Sequence, residues 1–157
     1  MKKFIMLLLV SVLLVGCGSG VNNDFVKEYN KNAEKYDAKK LNKDDFSKVE
    51  NEENMSWQTL FESQHFDLLA RLKDGKNVSG YQLSIKDLQE FVSKEGMAYD
   101  AALTLSDTLG ISIQKMNENI VELILDKDSE YKDGDYEIKI FSLDLNKTRA
   151  TINIDKQ

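Results

Sequence analysis

The sequence predicts an α+β fold: an antiparallel sheet of about five strands, covered by an amino-terminal helix and a central helical block. Apolar residues recur at helical spacing in residues 24–39 and 87–125, and at every second position in 57–85 and 136–154. The Asp74-Gly75 pair lies between two alternating runs and marks a hairpin, because both central positions of a type I′ turn need positive φ. Helix, three strands, helices and two strands follow one another without regular β-α alternation, which suits an antiparallel sheet.

Each element has its own justification. Asn23 or Asp24 can cap a helix that runs to about Lys39, with Phe25, Tyr29, Ala33 and Tyr36 forming its apolar stripe. Asn42 to Met55 is polar and acidic, anchored only by Phe46 and Val49, and reads as a loop holding a short strand. Trp57, Thr59 and Phe61 then alternate with polar partners, followed by Phe66, Leu68, Ala70 and Leu72. Tyr81, Leu83 and Ile85 return after the Asp74-Gly75 turn, and Gly80 suits a bulge. The meander has one apolar face that needs a cover.

That cover is helical. Asp87 caps a helix whose Leu88, Phe91 and Val92 point inward and which ends at Gly96. Met97 to Leu109 is rich in alanine and leucine and stops at Gly110. Ser112 caps a third helix, where Ile111 and Met116 are placed as a hydrophobic staple and Ile113, Met116, Ile120 and Ile124 hold the buried face. Residues 126–135 read as an acidic loop. Tyr136, Ile138 and Ile140 form a strand, Asn146-Lys147 turns the chain, and Ala150, Ile152 and Ile154 complete a second hairpin. Residue matches between the two hairpins are too sparse to define a repeat.

Composition narrows the function classes. The formal net charge of the 157-residue chain is −6, and it is distributed unevenly. Residues 17–49 hold seven lysines against six acids, whereas residues 50–157 hold twelve basic against twenty-one acidic residues. An acidic body excludes nucleic acid, whose binding depends on neutralising phosphates. Proline is absent and cysteine occurs once, so stability must come from packing rather than disulfide staples.

The candidates for chemistry are few. Counting from Asp126, oxygen ligands fall at the first, third and fifth positions and Glu137 at the twelfth, as a calcium loop of the EF-hand type requires. Tyr131 stands where the turn needs glycine, and a strand rather than a helix follows, so the segment reads as a solvated turn. His65 is the single histidine and reads as a solvent-facing strand residue. No G-x-S-x-G elbow is present, and a zinc site would have to rest almost wholly on carboxylates. No cofactor is expected. Lys27, Lys31, Lys35 and Lys39 lie at successive i+4 positions and form a basic stripe that could face a membrane. Sequons occur at Asn54, Asn77 and Asn146 and read as chance.

The amino terminus carries the strongest signal. Lys2 and Lys3 precede an apolar run from Phe4 to Val15, too short to span a bilayer, which needs about 20 residues. Leu14-Val15-Gly16-Cys17 closes the run and resembles the lipobox of bacterial lipoproteins. The resemblance implies cleavage before Cys17, a diacylglyceryl group on its thiol and an amine open to acylation. It divides the chain into a signal peptide at 1–16, a lipidated cysteine and tether at 17–23, and one extracytoplasmic α+β domain at 24–157. Loss of Lys2 and Lys3 takes the mature charge to −8 before the amino terminus is counted. Lysine-, asparagine- and isoleucine-rich usage fits an A+T-rich genome and, with the lipobox, a low-GC Gram-positive cell. An amino-terminal helix on an antiparallel sheet loosely resembles cystatin-like folds, from which the helical block at 87–125 departs.

The expected function is that of a membrane-anchored, cell-surface lipoprotein: a non-catalytic module binding a protein or envelope component, with membrane lipid engaged through Cys17. Exclusion or immunity roles come by analogy from small lipoproteins as a class. The alternatives are an envelope-associated hydrolase using paired carboxylates and an accessory subunit of a membrane complex. A two-lobed transport receptor needs a longer chain, and a spacer needs a long helix or repeats.

Overall fold

Asn22, in extended conformation, opens the first helix by accepting the Phe25 N–H on its Oδ1 at 2.8 Å. The computed structural model describes residues 20–52, 55–125, 127–143 and 148–157. Helix α1 runs from Asn23 to Tyr36 and stops at Asp37, which turns left-handed at φ 57°. The cap therefore falls one residue before the expected Asn23, and the helix ends before Lys39. Val26, Tyr29 and Ala33 form its buried face, while Phe25 is half-buried and stacks on Tyr81 at 4.6 Å. Packing begins at Val21, which is buried, within the segment read as a tether.

The strands form one antiparallel sheet. They are β1 (Glu50–Glu52), β2 (Met55–Glu62), β3 (Phe66–Lys73), β4 (Asn77–Ile85), β5 (Ser129–Asp133), β6 (Tyr136–Ser142) and β7 (Ala150–Lys156). Their order is β1-β2-β3-β4-β7-β6-β5, so the described residues make seven strands where about five were expected. The two strands beyond five are the sheet's edges: β1 is the short strand within the segment 42–55, and β5 lies in the expected acidic loop. Each pairs on one side only, so neither needs apolar alternation: β1 reads Glu-Asn-Glu, and β5 has Tyr131 as its single large apolar residue. Half of the expected acidic loop is thus strand. Apart from β1 the order is symmetric about the β4–β7 pair: α1 precedes the meander β2-β3-β4 and α4 precedes the meander β5-β6-β7.

Turn chemistry sets the register. Asp74 and Gly75 both have positive φ, 54° and 67°, as the expected hairpin requires. The bulge expected near Gly80 falls on Ser79, since Arg71 pairs with Gly80 and Leu72 with Val78. Gly80 is needed for a different reason: a Cβ there would run into the Ile154 carbonyl oxygen. A second bulge, at Leu60, was not expected and corrects the reading of β2. Ahead of it Trp57 pairs with Arg71 and Thr59 with Leu69; after it Phe61 pairs with Leu68. Only Phe61 of the expected inner row lies on the core face, and Ser56 and Leu60 are the buried residues.

Three helices link the meanders: α2 (Leu88–Val92), α3 (Gly96–Leu109) and α4 (Ile113–Ile124). Asp87 caps α2 through Glu90 N–H and Ser112 caps α4 through Lys115 N–H. Gly110 ends α3 at φ 73°. Ala98, Ala101, Ala102 and Leu105 are buried along α3, and such small side chains let helices approach closely. On α4 Met116, Ile120 and Leu123 are buried and Ile113 is half-buried. The core lies between this helical layer and one sheet face, where Leu68, Leu83, Ile85, Ile138, Ile140, Ile152 and Ile154 are buried. The Asn146-Lys147 turn lies outside the described residues, but Leu143 N–H bonds Arg149 O beside it. No helix among the described residues is long and apolar enough to cross a membrane.

Candidate functional site

Cys17, Asn54, Asp126 and Asn146 lie outside the described residues. What the structure places is the exit of the segment that carries Cys17. Gly20 N–H donates to Lys76 O at 3.0 Å, and Val21 N–H donates to Gln58 Oε1 at 3.1 Å. The chain is therefore fastened to the β3–β4 turn and to β2 within a few residues of the cysteine.

The lysine stripe is shorter and less free than its spacing implied. Lys27, Lys31 and Lys35 are exposed on α1, while Lys39 lies past the helix end at Asp37. Lys31 pairs with Glu28 at 2.7 Å, and Lys35 pairs with Asp107 of α3 at 2.9 Å. Hydrogen bonding to Tyr36 and Asp107 pushes the Lys35 ammonium up to about 12, and Lys35 in turn holds the Asp107 carboxyl below its usual range. Two of the lysines that could face a membrane thus have anionic partners on the protein itself.

The acidic segment after α4 forms an arm of a hairpin. Asp133 accepts the Ser112 N–H at 2.6 Å and pairs with Lys115 at 2.9 Å; Lys115 is the main cause of its lowered pKa. Glu137 lies near Lys139 at 3.7 Å, and Gly134 turns the chain at φ 56°. Extended strand cannot wrap its carboxylates around one ion as a calcium loop does. Among the described residues no three His, Cys, Asp or Glu side chains stand together as a metal site. Calcium and EDTA are each expected to leave the melting temperature unchanged, and a calcium-dependent rise of several degrees would contradict that.

His65 is in the β2–β3 turn rather than on a strand. Its Nδ1 lies 3.5 Å from Oε2 of Glu90 on α2. Ser63 closes the same turn: its Oγ accepts the N–H groups of His65 and Phe66 and donates to Phe66 O. Lys86 bonds Ser63 O and Asp67 at 2.7 Å each, which completes the turn. Asn77 opens β4 and is exposed.

The surface that sequence reasoning missed is the second face of the sheet. The helices cover one face, and the side chains of the other form cross-strand rows. One row runs Lys139, Asn153, Gln82, Leu69 and Thr59; another runs Phe141, Thr151, Ser84 and Asp67. Arg71 and Asp155 form an ion pair across Gly80. Thr151 is 2% exposed, yet its Oγ1 and the Asn153 Oδ1 have no hydrogen-bond partner on the protein. Leaving such a group unpaired costs about 1–3 kcal/mol. Its signal in the sequence is the polar members of each alternating run.

A cleft of about 550 Å³ opens beside Gly20. Phe25, Val78, Tyr81 and Tyr136 line it, with Lys76 and Lys156 also on its wall. No protein-family model, curated protein or solved structure matches this chain.

Proposed function

We propose that this chain is a lipid-anchored module on the extracytoplasmic face of a cell membrane, and that it acts by binding a protein or envelope component rather than by catalysis. The observation that carries the reading is the charged start, short apolar run and Leu14-Val15-Gly16-Cys17 ending, with Cys17 the single thiol. A diacylglyceryl group supplies two chains at once, which is what stable anchoring takes. The exit of the chain at Gly20 supports it, since the domain is fastened close behind the cysteine. The uncovered sheet face is the contact surface. Its half-buried polar rows, among them Gln82, Ser84 and Lys139, suit a partner that supplies hydrogen bonds.

A photo-crosslinking residue placed at Gln82, in the middle of that face, tests this in intact cells. An adduct is expected from Gln82 and not from Lys27 on the helical side. It is expected to persist when residues 1–16 are exchanged for an unrelated lipoprotein signal, and to weaken when the chain is released from the membrane. Crosslinks from Lys27 alone would contradict the assignment of the face.

A further inference from the structure

The tether has almost no slack. Cys17 and Gly20 are three residues apart, and extended chain spans at most about 3.6 Å per residue, so their Cα atoms lie within roughly 11 Å of each other. Gly20 is bonded to Lys76 O and Val21 is bonded to Gln58 and buried at 4% exposure, so paying out further chain breaks both hydrogen bonds and exposes the valine side chain. A domain held this way cannot drift on a leash. It must sit on the membrane by the end from which the tether leaves.

The register identifies that end. Strands β3 and β7 finish there and β4 and β6 begin there, as the pairs Lys73–Asn77 and Tyr136–Lys156 record. Met55 at the start of β2 shares it and is 52% exposed. Lys73, Lys76 and Lys156 are exposed at this end, and none has an ion-pair partner among the described residues. Lys31 and Lys35 of α1, by contrast, are engaged with acids. Asp74 and Asp135 also lie at the tether end, with Asp24 on the wall of the cleft there and Glu52 opposite Met55, so the end carries no net positive charge. What favours lipid there is proximity: within a Debye length, about 8 Å, individual lysines can meet individual phosphates. The cleft beside Gly20 opens at the same end, and the half-buried Tyr136 on its wall has the apolar body and polar tip that suit the headgroup region.

We infer that the domain is seated on the membrane by its β3–β4 turn end, with Lys73, Lys76 and Lys156 against the phosphates of anionic phospholipids. This rests on the lipid-anchor reading. The His65–Glu90 end then points away from the membrane, and the uncovered sheet face stands open to the side, where a partner can reach it.

Trp57, the single tryptophan, reports the orientation, because it pairs with Arg71 close to the seated end. The full chain is produced in a lipoprotein-processing bacterium, extracted, and reconstituted into phosphatidylglycerol–phosphatidylcholine vesicles that carry a nitroxide on the headgroup or mid-chain. Headgroup nitroxide is expected to quench Trp57 at least twofold and mid-chain nitroxide hardly at all. In the variant Trp57→Phe/His65→Trp the headgroup quenching is expected to vanish. The triple variant Lys73→Glu/Lys76→Glu/Lys156→Glu is expected to lose half or more of the Trp57 quenching with an unchanged melting temperature, and pure phosphatidylcholine is expected to give less quenching than the mixture. Equal quenching at positions 57 and 65 overturns the seating, and full quenching of the triple variant overturns the role of the lysines. The intact mass of the same sample separates this from the anchor itself: a diacylated chain with the wrong quenching fails only the seating, whereas a chain without lipid fails both.

Discussion

Cys17→Ala is expected to lose all acyl labelling and to move the protein from the membrane fraction to the soluble fraction. Cys17 is the single thiol of the chain, so no second residue can take the thioether. Each buried methylene contributes about 0.8 kcal/mol, and a single acyl chain gives only reversible binding, so both chains are needed for a stable hold. The acidic body offers no substitute, since a chain with a net charge of −6 is repelled as a whole by an anionic surface. A few lysines at one end add on the order of 1 kcal/mol each, which cannot replace two acyl chains. The loss of membrane partition should therefore be near complete. Retention of the variant in the membrane fraction at high salt would show that the apolar segment from Phe4 to Val15 holds the chain without lipid.

Leu83→Ala is expected to cost the fold about 2–5 kcal/mol, the range for deleting a fully buried leucine side chain. Leu83 is 0% exposed on the central strand β4, with Leu68 and Ile152 facing it across the two neighbouring ladders. Against a net stability of about 5–15 kcal/mol, that loss would move the urea midpoint far and could unfold the domain at growth temperature. Leu69→Ala is the matched control. Leu69 neighbours Leu68 in β3 but points to the uncovered face and is half-exposed, so its truncation should cost well under half as much. Equal losses from the two variants would mean that something covers the second face.

The apolar faces of β3, β4, β6 and β7 were legible because each packs on the core, where burial imposes a period; on α1 only Tyr29 and Ala33 were, since Val26 is the third buried residue and Phe25 and Tyr36 are half-buried. The caps and turns were legible where side-chain chemistry leaves little choice, as at Asp87, Ser112 and Asp74-Gly75. Strand β5 was not, because an edge strand with charged residues at Glu130 and Lys132 has no apolar rhythm to show. The reversal of Trp57 and Thr59 was hidden for another reason. One inserted residue at Leu60 exchanges the two faces of β2, and a bulge of this kind follows from the ladder rather than from any residue in it. The lysine spacing was real, but Asp37 ended the helix before Lys39, and Asp107, more than seventy positions away, took Lys35. The polar sheet face was written plainly in the alternation; only the helical cover on the opposite side gives it meaning.

A lipid-anchored module is recognised by the intact mass of the chain extracted from cell membranes. A polypeptide beginning at Cys17 and carrying the added mass of a diacylglyceryl group, with or without one further acyl chain, is the predicted result. A chain that still begins at Met1, or one that begins elsewhere with an unmodified Cys17, would contradict the lipid anchor.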